Sequence, residues 1–97
     1  MSRPSPSVLQ EQLKQVALVL LQSGAREVYM FGSSTKGTPR EGSDIDLAVS
    51  GLPPELFYKA MGRVGDILAL PFDLVDLDEE TPFTRYLKEE QELVRIA

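Results

Sequence analysis

The chain contains no cysteine and no histidine among its 97 residues. Without cysteine there is no disulfide framework and no thiolate zinc site. Without histidine, neither Ser-His-Asp nor Cys-His catalysis can be assembled from this chain, which leaves carboxylates as the groups for acid–base work or metal binding. Basic residues are also in deficit, with 10 Lys and Arg against 15 Asp and Glu, a net charge of −5. That balance lacks the basic footprint of a nucleic-acid-binding surface, and no direct contact with nucleic acid is expected. No apolar run approaches the roughly 20 residues of a membrane span, and Met1 to Ser7 lacks the apolar core of a signal peptide. A cytoplasmic protein with no membrane partner is the expectation.

What remains is 42% apolar, enough for one modest core. Residues 1–7, rich in proline and serine, read as a flexible tail, and 8–97 as one domain without internal repeats. Ser7-Val8-Leu9-Gln10 fits a capping box that opens a helix. Leu9, Leu13, Val16, Ala17 and Leu20 then form one apolar stripe, and Gly24 ends it. Val28 to Phe31 is a short apolar run stopped by Gly32, the mark of a buried strand. Asp44 to Val49 alternates, sending Ile45, Leu47 and Val49 to one face and Asp44, Asp46 and Ala48 to the other. Pro54 suits the first turn of a second helix with its own apolar stripe from Leu56 to Leu68. Gly62 and Gly65 mark either close packing against the sheet or a marginal helix. Phe72 to Leu77 reads as a third strand, Thr81-Pro82 opens a third helix, and Leu93 to Ile96 suits a short edge strand. The order predicts a two-layer α/β (α+β) domain: a small mixed sheet with helices on one face and the aspartates on the other.

The chemistry-bearing feature is Gly32-Ser33 followed after ten residues by Asp44-Ile45-Asp46. On a strand, Asp44 and Asp46 point the same way with backbones about 6.6 Å apart. Two like charges at that distance cost about 2.5 kcal/mol at an effective dielectric of 20. Aspartate is also a poor strand former, so a purely structural strand gains nothing from the pair. A pair of carboxylates suits a divalent metal, and a small-residue turn beside it suits a phosphate; together they imply chemistry on a nucleoside triphosphate. If the third strand lies beside the second, Asp73 joins the pair as a third ligand, with Asp76, of opposite parity, as the alternative. Lys36, and less so Arg40, lie where a cation would reach phosphate. Asp78, Glu79 and Glu80 read as solvated loop charge. Tyr29, Tyr58 and Tyr86 read as core or interface packing.

Phe31-Gly32-Ser33, Ser43-Asp44-Ile45-Asp46-Leu47 and Phe72-Asp73-Leu74-Val75 together resemble the minimal nucleotidyltransferases (MNT proteins). These are antitoxin-type members of the DNA polymerase β superfamily. The resemblance, from about residue 8 to the end, implies the nucleotidyltransferase fold. It also implies two Mg2+ ions on Asp44, Asp46 and Asp73, with ATP or another nucleoside triphosphate at Gly32 and Ser33. The family commonly shows Gly-Ser-Arg-Ala-Arg-Gly where this chain has Gly32-Ser33-Ser34-Thr35-Lys36-Gly37, which shifts phosphate binding toward Lys36 and backbone amides. The resemblance further implies a partner, an all-helical HEPN ribonuclease toxin neutralised by complex formation and by transfer of AMP onto a tyrosine. The expected activity is therefore a Mg-dependent protein adenylyltransferase. The alternatives are a non-catalytic antitoxin that masks its toxin, and a transferase for a small molecule such as an aminoglycoside.

Overall fold

The computed structural model describes residues 5–31, 45–90 and 93–97. Helix α1 spans Pro6–Gln22, β1 Glu27–Phe31, β2 Ile45–Ser50, α2 Pro54–Ile67, β3 Phe72–Asp76, α3 Pro82–Glu89 and β4 Leu93–Arg95. This is the expected order of elements. Of the expected tail, residues 1–4 lie outside the described residues, and Ser5 to Ser7 are the cap and first turn of α1.

The start of α1 differs from the expected Ser7–Gln10 box. The side chain of Ser5 accepts the Val8 N–H at 3.3 Å, and Pro6 holds the first helical position. Proline carries no N–H to satisfy and its fixed φ suits that position, so the helix begins two residues earlier. Its stripe buries Val16, Ala17 and Leu20 as expected. Ser23 caps the end and Gly24 follows at φ +119°.

The strands form one sheet in the order β3-β2-β1-β4. β1 pairs antiparallel with both β2 and β4, while β2 and β3 are parallel. The parallel pair needs a crossover, and α2 supplies it. Val16 and Leu20 of α1 and Ala60 and Val64 of α2 pack on Val28, Ile45, Leu47, Val49 and Leu74, the main core on one face of the sheet. That is the two-layer arrangement the pattern predicts.

The third helix departs from it. Leu87 of α3 joins Phe31, Ala48 and Leu77 in a second cluster on the opposite face, and Phe83 meets Phe31 edge-on at 5.8 Å. Ala48 is too small to cover its own neighbourhood, and Leu87 fills the space above it. The start of α3 is firmly set: Thr81 N–H donates to Thr84 Oγ1 at 3.0 Å and Thr84 N–H donates to Thr81 Oγ1 at 3.1 Å. The buried Thr84 hydroxyl also donates to the Glu79 carbonyl at 2.7 Å. This capping box closes the turn after β3. No helix among the described residues is long and apolar enough to cross a membrane.

The two glycines of α2 separate cleanly. A Cβ on Gly65 would touch the Phe72 ring at 3.6 Å, whereas one on Gly62 would meet nothing within 4 Å. Gly62 is therefore a helix-interior glycine with no packing reason. Gly51 is the opposite case, with φ +79° and a Cβ position 2.7 Å from Arg26 Cβ. Gly62→Ala should raise stability by about 0.4–1 kcal/mol, and Gly51→Ala should lower it by about 1 kcal/mol or more. Urea unfolding of both variants checks the pair; equal midpoints would contradict the assignment.

Candidate functional site

The site begins with the register of β2 on β3. Ile45 pairs with Phe72, Asp46 with Asp73, and Leu47 with Leu74. Because Ile45, Leu47 and Leu74 are drawn into the core under α1 and α2, alternation turns Asp46 and Asp73 to the other face. Adjacent strands lie about 4.8 Å apart, so the two carboxylates stand side by side across the sheet. Asp46 is fully buried, while Asp73 is exposed. One acid is thus anchored in the protein and its neighbour is open to an incoming group.

The structure turns the alternative, Asp76, to another task. It stands opposite Val49, and its Oδ1 accepts the Asp78 N–H at 2.9 Å, holding the turn after β3. Asp78, expected to be plain loop charge, accepts the Gly51 N–H through Oδ2 at 2.6 Å. It ties the β2–α2 connection to the β3–α3 turn. Asp44, Gly32, Ser33 and Lys36, the rest of the expected site, lie outside the described residues. So does Arg40.

No group of three or more acidic side chains that could hold a metal ion occurs among the described residues. Asp46 and Asp73 alone still fit magnesium in kind. They are two hard oxygen donors on one face of adjacent strands, the ligand type a Mg2+ ion takes in ones and twos.

The same face carries a second polar group that sequence reasoning missed. Tyr29 Oη and Ser50 Oγ both donate to Glu27 Oε1, at 2.9 and 3.0 Å, and Arg95 lies 3.5 Å from Glu27 Oε2. Glu27, Tyr29 and Ser50, with Lys88 and Arg26, line a cavity of about 520 Å3. Ser50 is four residues along β2 from Asp46, roughly 13 Å away, so this group is separate from the aspartate pair. The continuous apolar run of Val28 to Phe31 gave no sign that the Tyr29 hydroxyl meets Glu27. Tyr58 and Tyr86, read as core or interface packing, are not in the core: they are 80% and 51% exposed.

The family model for polymerase β nucleotidyltransferases matches residues 10–95. The chain belongs to the polymerase β nucleotidyltransferase family. Among curated proteins none matches it. Among solved structures, the chain shares its fold with three toxin–antitoxin crystal structures. A mutant of the toxin–antitoxin MntA–HpeT gives a TM-score of 0.66 at 21% identity, over 84% of this chain and 69% of that one. A toxin–antitoxin with AMP-PNP gives 0.64 at 22%, over 89% and 70%. A second MntA–HpeT mutant gives 0.63 at 21%, over 91% and 71%. At such identities the likeness is one of fold. In this nucleotidyltransferase the in-register acids lie on the sheet face away from α1 and α2.

Glu27 offers a pH test of the second polar group. The hydrogen bonds from Tyr29 and Ser50, and then the nearby Arg95 and Arg26, hold its carboxyl below the ordinary range. Burial first and Glu27 second raise the Tyr29 phenol. A carboxyl whose folded pKa is lowered stabilises fully above its unfolded pKa and loses that contribution as acid titrates the folded group. The gap in urea midpoint between wild type and Glu27→Gln should therefore be widest at neutral pH and close on acidification. A gap independent of pH would show that Glu27 acts through something other than its charge.

Proposed function

We propose that this nucleotidyltransferase uses Mg2+ to move AMP from ATP onto a hydroxyl of a HEPN-type toxin, as the antitoxin of a cytoplasmic toxin–antitoxin pair. The observation that carries this reading is the in-register pair of Asp46 and Asp73 in a chain of this family. The shared fold with toxin–antitoxin structures, one of them with AMP-PNP, supports the partner class and the nucleotide.

Asp44, Asp46 and Asp73 would hold the metal, which when bound neutralises phosphate charge and lowers the pKa of an attacking hydroxyl. Gly32 and Ser33, through backbone amides and a hydroxyl, would cradle the triphosphate, with Lys36 adding positive charge. The acceptor oxygen attacks the α-phosphorus and forms the new P–O bond. The bond from that phosphorus to the bridging oxygen breaks, and pyrophosphate leaves with its electron pair. The proton lost by the hydroxyl passes to Asp73, whose exposure on β3 suits a group that meets an incoming acceptor.

A second reading has one observation in its favour. Lys36 is the only cation in Gly32-Ser33-Ser34-Thr35-Lys36-Gly37, a sparse set for gripping a triphosphate, so the chain would neutralise its toxin by masking alone. The readings part when the chain, the product of its neighbouring gene, Mg2+ and α-labelled ATP are incubated together. Label on the partner supports transfer; inhibition of the partner without label supports masking. Asp46→Asn and Asp73→Asn should each cut transfer at least about 100-fold, the scale expected for losing a principal electrostatic stabiliser. Full transfer by either variant, with an unchanged unfolding midpoint, would overturn the assignment of the acids.

A further inference from the structure

Among the described residues β3 is the terminal strand on the aspartate side of the sheet. The bonds from Ile45 N–H to the Pro71 carbonyl and from Leu77 N–H to the Val49 carbonyl fix which peptide groups of β3 face β2. By alternation those of Phe72, Leu74 and Asp76 face away from it, along the open edge. Beside this edge runs a groove of about 380 Å3 between the first turns of α2 and α3. Its walls include Phe57, Tyr58, Val75 and Phe83, and its charged lining is Asp76 and Glu79, both acidic. Tyr58 and Phe83 are 80% and 42% exposed, a large aromatic surface for so small a domain.

We propose that this groove is the docking site for the acceptor segment of the partner protein. The segment lies along the β3 edge with an apolar or aromatic side chain between Tyr58 and Phe83 and with Lys or Arg on its flanks. The occupant follows from the chemistry. The groove offers aromatic faces, which bind apolar and cationic side chains alike, and acids that repel an acidic segment. Its position adds a reason. Asp73 lies on the same strand as Val75 and Asp76, so a chain following this edge runs past Asp73 within a few residues of its anchor. The docking proposal rests on the transfer reading for the identity of the occupant, but its binding arm does not need chemistry.

The test uses the full chain with Tyr58→Ala and Glu79→Lys combined. Both side chains are exposed; Glu79 joins the Asp76 turn through backbone groups only, its N–H donating to the Asp76 carbonyl and its carbonyl accepting from Thr84, and the substitution keeps both. Affinity for the neighbouring-gene product is measured without nucleotide, and AMP-PNP affinity with Mg2+ separately. Partner affinity should fall at least tenfold, with AMP-PNP binding unchanged within twofold. A photo-crosslinking residue at position 58 should capture the partner through its acceptor segment. Docking at the groove is overturned by unchanged partner affinity, by no partner binding in the wild type, or by a crosslink to the same chain or a second copy. Groove-dependent binding without any label transfer would keep the docking site and refute the transfer reading instead.

Discussion

Everything about the aspartate pair depends on one pairing, β2 against β3 in parallel register. A slip of one residue would turn every side chain of β3 to the other face, taking Asp73 into the core and Leu74 into solvent. The register is held by apolar burial on the opposite face, where Ile45, Leu47, Val49 and Leu74 meet the two larger helices. The position of the acids is thus enforced by burial on the sheet face they do not occupy. Two features reinforce it at the far end of the strands. Leu77 N–H donates to the Val49 carbonyl, and Asp78 accepts from Gly51 N–H, so the turns leaving β2 and β3 are locked to each other.

The elements were readable because each carries a simple period. Three- and four-residue apolar spacing marked α1 and α2, and strict alternation marked β2 and β3. Parity then distinguished Asp73 from Asp76 on the single condition that the strands are neighbours, which they are. Boundaries and surroundings were harder. Ser5 and Ser7 both stand beside Pro6, and local pattern alone does not say which serine caps the helix. Thr81-Pro82 marks where α3 begins but not which sheet face receives it; Leu87 packs with Ala48 and Phe31, distant in sequence. Tyr58 and Tyr86 fit apolar patterns at positions that none of the described elements covers. The Tyr29–Glu27–Ser50 group depends on the antiparallel register of β1 with β2, which hydrophobic spacing does not encode.

The two faces of the sheet also divide the labour of folding and chemistry. The face under α1 and α2 is apolar throughout its centre and contributes most of the burial. The other face combines a small apolar cluster under α3 with acids at one end and a hydrogen-bonded carboxyl at the other. A short helix that leaves part of a sheet open costs stability in a domain this small, where burial is limited. On that same face Asp73, at the edge strand, stays exposed.

The edge-on contact of Phe83 with Phe31 joins two regions that otherwise share little. Phe31 immediately precedes Gly32 in the chain, and Phe83 forms part of the groove wall beside β3. One pair of rings therefore belongs to both the proposed phosphate turn, by its place in the sequence, and the proposed docking groove. If a guest at one end alters how those rings pack, its binding free energy depends on whether the other end is filled. Thermodynamic reciprocity then requires the second guest to feel the first by the same factor. Nucleotide and partner would be coupled ligands, linked through a hydrophobic contact that takes no part in the reaction.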